Sequence, residues 1–133
     1  MAEEAVVKEA LTEKMIRAGE ELICLLDQAQ LEVDASLWFY MPESNTWRLM
    51  IASPEVAKYG PKKVYEKIRS VLSQRSEEQP SLALRDISVV EDTNPLISLL
   101  RSAVRTDPGI SGIRFSRNAI SGHFIDDAYI YRM

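Results

Sequence analysis

The run Leu37-Trp38-Phe39-Tyr40-Met41, the turn-forming Pro42-Glu43-Ser44-Asn45-Thr46 and the return run Trp47-Arg48-Leu49-Met50-Ile51-Ala52 constrain the fold of this chain more than any other feature. Aromatic and branched residues fit a pleated surface, and the residues between the two runs favour a turn, so the segment reads as a β-hairpin. Placing Met41 opposite Trp47 sets Phe39 against Leu49 and Leu37 against Ile51, which gives a wholly apolar face. The second face then carries Trp38 opposite Met50 and Tyr40 opposite Arg48. That face is mixed rather than polar, so it too calls for cover by a helix, a partner or a ligand. Trp38, Tyr40, Arg48 and Met50 are therefore candidate binding residues. For both tryptophans the simpler alternative is cross-strand packing.

The segment before the hairpin supplies one cover. From Glu3 to Gln30 the only residue unfavourable to a helix is Gly19, and Leu11, Met15, Ala18, Leu22, Leu25 and Ala29 recur at intervals of four and three. Such a stripe marks one face of a long helix, with Val7 extending it. A second helix follows Gly60-Pro61. Its inner stripe is Val64, Ile68, Val71 and Leu72, and Lys62, Lys63, Lys67 and Arg69 form a basic outer patch. Ser76 to Pro80 reads as a polar loop and Leu82 to Val90 as a strand. Asn94-Pro95 opens a third helix, with Leu96, Leu99, Leu100 and Ala103 inward, and Thr106 to Gly109 stops it. A final hairpin runs from Gly112 to Phe115 and back from Ala119, with its turn at Arg117-Asn118. After a break at Asp126-Asp127, Ala128 to Tyr131 continue as strand.

The order α-β-β-α-β-α-β-β, with a hairpin near each end and helical crossovers between, predicts an α+β fold. We expect one domain over residues 1–133, built on a single mixed, mainly antiparallel sheet of about five strands with three helices. In element order alone, the chain resembles small sensor domains of the GAF and PAS kind, which also set helices around a central antiparallel sheet. That resemblance implies a small-molecule-binding reading and carries no residues across.

Composition narrows the function. One cysteine, Cys24, and one histidine, His123, leave no basis for a Cys-based zinc site, a multi-histidine metal centre or an intrachain disulfide. No metal or cofactor is expected. The start Met-Ala-Glu-Glu-Ala resembles no secretory signal, and no apolar run reaches membrane-spanning length, so a cytoplasmic protein is expected. The net charge of −4 argues against a nucleic-acid partner. Charge is nonetheless segregated: residues 1–34 carry nine acids and three bases, and residues 55–75 carry six bases and two acids. The basic patch is either a solvated helix face or a contact for an acidic surface, such as the first helix of another copy.

Chemistry, if present, belongs to the last hairpin. Pairing Ser116 with Ala119 puts Phe115, Ile120 and Phe124 on a core face and projects Arg114, Ser121 and His123 from the other, near Asp126 and Asp127. Such a group has the parts for acid–base work or for holding a phosphate, although exposed polar residues and acids at a strand break account for the same pattern. Cys24, between apolar helix residues, reads as a small buried hydrophobe. Phosphate loops, nucleophile elbows and acid-x-lysine nuclease signatures are all missing. The leading expectation is a non-enzymatic protein-interaction or accessory module, with self-association as one mode of contact. The rivals are a ligand sensor built on Trp38, Tyr40 and Met50, a small hydrolase using His123 with Asp126 or Asp127, and nucleic-acid binding through the basic helix.

Overall fold

The computed structural model describes residues 7–74 and 82–133. The expected helical start at Glu3 and the polar loop from Ser76 to Pro80 lie outside the described residues.

Strands β1 (Ala35–Met41) and β2 (Thr46–Ala52) form the first hairpin, and β4 (Ile113–Ile120) and β5 (His123–Arg132) form the last. With β3 (Ile87–Val90) they make one five-stranded sheet in the order β3-β2-β1-β5-β4. Only the β2–β3 pairing is parallel. The sheet is thus mixed and mainly antiparallel, and the fold is α+β. Helices α1 (Glu13–Gln28), α2 (Glu55–Tyr59) and α3 (Pro61–Ser73) cover one face, and α4 (Pro95–Arg101) lies on the other. The short α2 raises the helix number to four among the described residues. No described helix is long and apolar enough to cross a membrane.

Helix α1 starts at Glu13, six residues after Val7, the first described residue of its expected stripe. Thr12 caps it by accepting a hydrogen bond from the Met15 amide, and residues 7–12 cross the sheet as an irregular strap. Val7, expected on the helix stripe, is 83% exposed. The buried stripe is Ala18, Gly19, Leu22, Ile23 and Leu26, while Leu25 is half-buried and Ala29 and Cys24 are exposed. Each fully buried aliphatic in that stripe contributes about 1.5–3 kcal/mol.

Two turn placements differ from expectation, and both move faces. In the first hairpin Met41 pairs with Thr46, Tyr40 with Trp47, Phe39 with Arg48 and Trp38 with Leu49. The loop is four residues, Pro42–Asn45, closed by Asn45 in the left-handed region at φ 50°. A slip of one residue turns a strand over. Trp38 and Tyr40 therefore share the α1–α3 face with Trp47, Leu49 and Ile51, whereas Leu37, Met50 and half-buried Phe39 share the α4 face. In the last hairpin the turn is Ser121-Gly122, with φ 49° and 79°, not Arg117-Asn118. Two consecutive positive-φ residues are the mark of the turn that matches strand twist. Ala119 then pairs with Phe124, Ser116 pairs with Asp127, and β5 runs through Asp126-Asp127 without a break. What breaks there is side-chain alternation: Ile125 and Ala128 face the same core cluster, and Arg117 opposite takes φ 49°. The third helix also stops short, at Arg101, leaving Ala103 exposed.

The contact between α1 and the sheet is exceptionally close. At Gly19 a Cβ would fall against the Tyr131 hydroxyl and within 2.9 Å of Trp38 Nε1. Both rings are held, so neither can swing away. Gly19→Ala is expected to lower stability by about 1–3 kcal/mol through overpacking, although alanine is the better helix former. A thermal melt at or above the native midpoint would contradict this.

Candidate functional site

The structure brings together some of the candidate residues and separates others. Trp38 is 1% exposed, and its indole N–H donates to both the Met15 carbonyl (3.2 Å) and the Tyr131 hydroxyl (3.0 Å). It is a core residue. Arg48 and Met50 lie on the opposite face. Arg48 fastens the edge of the sheet by donating to Ser88 Oγ (2.6 Å) and the Ile87 carbonyl (3.2 Å). The set Trp38, Tyr40, Arg48 and Met50 therefore does not form one surface.

Arg114 and Asp127 do meet. Arg114 donates from Nε and Nη2 to the two carboxylate oxygens of Asp127, each at 2.6 Å. Lys8 of the strap adds a third charged bond at 2.6 Å and lies 3.7 Å from Asp126. The Asp127 side chain is 5% exposed, while those of Arg114 and Lys8 are 47% and 39% exposed. Burial alone would raise the Asp127 pKa. The bonds from Arg114 and Lys8 outweigh it and hold the carboxyl below its ordinary value. The same pairing raises Arg114. A carboxylate so engaged is a poor proton acceptor near neutral pH. His123 is exposed at the hairpin tip and, among the described residues, hydrogen-bonds neither aspartate.

Around this ion pair lies an aromatic floor. The Tyr40 and Trp47 rings stand 5.3 Å apart at 56°. The Lys8 ammonium sits 4.6 Å from the first centroid and 5.6 Å from the second, and the Arg114 guanidinium is 5.5 Å from Trp47. Sequence reasoning named Arg114 and Asp127 together in the last hairpin and Tyr40 apart from them, but missed Lys8, Trp47 and Asn45 as their neighbours. Nothing local in the sequence signals a contact between residues 119 positions apart.

The basic patch is exposed as expected. Lys62, Lys63 and Arg69 face outward, and Lys67 pairs with Glu55 at 3.0 Å. Glu55 also accepts from the Glu32 amide, and that bond, with Lys67, lowers its pKa against the effect of burial. A groove of about 480 Å³ runs beside Tyr59, Lys63 and Lys67. A second cleft, about 500 Å³, lies at the Arg132–Asp27 bridge among Glu32, Asp34 and Asp107. Burial and the charges of Glu32 and Asp92 raise Asp34 there. Cys24 is exposed rather than buried, and partial desolvation with Glu20 and Asp27 nearby raises its thiol pKa, so it is a weak nucleophile. No group of three or more metal-ligating side chains gathers among the described residues.

A further groove is apolar. About 370 Å³ in volume, it runs between α4 and the tip of β5, lined by Phe39, Pro95, Leu96, Leu99, Phe124 and Ile125, with His123 at its rim. Phe124, expected in the core, is 64% exposed because Ser121-Gly122 puts it at the free end of the hairpin.

No family model, no curated protein and no solved structure matches this chain.

Two depressed carboxylates, Asp127 and Glu55, shape the acid response against Asp34, whose raised pKa acts in the opposite sense. Asp127 and Glu55 contribute stability that is complete above their unfolded pKa values, near 4, and is lost as pH falls through the lower folded values. Denaturant midpoints should stay level from about pH 7 to 5 and decline below about pH 4. Asp127→Asn should cost about 1–3 kcal/mol at neutral pH and flatten part of that acid decline. An unchanged acid limb in the variant would contradict the assignment.

Proposed function

We propose that the chain is a protein-interaction module that associates with a second copy of itself through the free end of its β4–β5 hairpin. The observation that carries this reading is Phe124, which protrudes at 64% exposure directly beside the apolar groove of Phe39, Leu96 and Leu99. A projecting ring and an apolar recess in one patch are self-complementary. A two-fold rotation lets each copy place its phenyl ring in the groove of the other. Burying a phenylalanine contributes roughly 1.5–3 kcal/mol per copy, and the rule acts twice in a symmetric contact.

The sheet edge next to this patch is a poorer surface for pairing. β4 ends the sheet, but Arg117 stands in the left-handed region and Arg114 and Arg117 charge the strand. Irregular, charged edges resist strand addition. The support for the interaction reading therefore lies in the side-chain patch. The residues proposed for a sensor pocket are engaged elsewhere, Trp38 with Tyr131 and Tyr40 with Asn45. Those proposed for hydrolysis are divided between a closed ion pair and an exposed histidine.

Sedimentation of the native chain and of Phe124→Asp tests the proposal. The native chain should form dimers with rising concentration, and the variant should remain monomeric with an unchanged melting midpoint. A native chain that stays monomeric into the millimolar range, or a dimer indifferent to the substitution, would overturn it.

A further inference from the structure

The strap over the Tyr40–Trp47 floor has the contact pattern of a bound peptide. Asn45 brackets Lys8 from both sides: its Oδ1 accepts from the Glu9 amide (2.8 Å) and its Nδ2 donates to the Val7 carbonyl (3.0 Å). The Trp47 indole N–H donates to the Glu9 carbonyl (2.8 Å). These bonds read backbone, which every sequence has. One side chain is read chemically. The Lys8 ammonium meets the Asp127 carboxylate and two aromatic faces, an environment suited to a cation and to little else. Leu11, three residues on, packs against the core.

Every part of this receptor has a second support besides the strap. Asp127 is held by Arg114, Asn45 by Tyr40 (2.6 Å) and by its left-handed turn, and Trp47 by the Tyr40 ring. The strap itself is irregular chain that ends at the Thr12 cap, a natural pivot. A preformed cleft filled by a segment covalently joined to it through the Thr12 cap is the arrangement of a receptor and its tethered competitor.

We infer that this cleft is a binding site for an extended segment of a partner protein that carries a lysine, and that residues 7–11 occupy it in cis as a competing ligand. Backbone bonds to Asn45 and Trp47 set the path of the segment. The carboxylate and rings select lysine, and an aliphatic residue three positions later takes the place of Leu11. Partner entry and strap release are then one exchange. The site is separate from the Phe124 groove, and either assignment can fail without the other.

The probe is a fluorescent hexapeptide, Val-Val-Lys-Glu-Ala-Leu, copying residues 6–11, with a control carrying norleucine for lysine. The protein is the full chain and its Lys8→Ala variant, the latter being a change on a half-exposed side chain. Lys8→Ala should bind the peptide about tenfold more tightly than the native chain, and the control about tenfold more weakly than the lysine peptide. In the native chain, excess peptide should shift the Glu9 amide resonance, because the strap's own bond to Asn45 is lost as it leaves. Equal affinity for both peptides, no binding to Lys8→Ala with native-like tryptophan fluorescence, or a Glu9 amide resonance unmoved at saturating peptide would each overturn the inference. A zero-length carbodiimide should join Lys8 to Asp127 within one chain. A link found only between isotopically distinct copies would overturn the claim that the strap competes in cis.

Discussion

The hydrogen-bonded junction of Trp38, Tyr131 and helix α1 is the contact on which the rest of this structure depends. Trp38 projects from the central strand, and Tyr131 from the neighbouring one, toward the same turn of helix. The Tyr131 hydroxyl donates to the Ile16 carbonyl at 2.5 Å while accepting from the Trp38 indole, and burial drives its pKa above the ordinary value. Two large side chains with polar tips are thus buried without an orphaned donor, the condition under which aromatic residues belong in a core. Gly19 permits the approach. The junction joins the first hairpin, the last hairpin and the opening helix at one point, and it sets where the strap must begin.

From that junction the two faces of the sheet diverge. The α1–α3 face is closed by three helices and sealed at its margin by the strap, with Lys8 completing the Arg114–Asp127 pair. Among the described residues the opposite face has one helix, α4, seven residues long, which buries its own Ile97 and Leu100 against the sheet. One short helix cannot shield the full width of five strands, so Phe39 and Phe115 remain half-covered and Phe124 is left out. The proposed self-association and the proposed peptide site both start from this asymmetry: one surface is open, and the other is closed at its margin by an irregular segment of the chain itself.

The sequence made the layering legible because layering depends on apolar period, which survives errors of a residue or two. The stripe through Leu22, the Val64–Ile68–Val71 face and the Asn94-Pro95 helix start all appear where the pattern puts them. Register was not legible, because it hangs on a single turn residue. Asn45 takes a left-handed conformation, the loop closes in four residues, and Trp38 moves from a binding face into the core. At the second hairpin the signal was available in Ser121-Gly122, a pair suited to positive φ, but Arg117-Asn118 competed with it. Arg117 does adopt positive φ, inside the strand. The candidate site was legible in part. Arg114 and Asp127 could be placed together on one hairpin, but their partner at position 8 is set by tertiary folding alone.

Native-state hydrogen exchange on Tyr131→Phe tests the central dependence most directly. The substitution keeps the ring and removes only the hydroxyl that links Trp38 to the helix backbone. If the junction governs the fold, protection should fall together across α1, β1 and β5, with the strap freed as well. Protection lost at the end of α1 alone, with β1 and β5 unchanged, would contradict it.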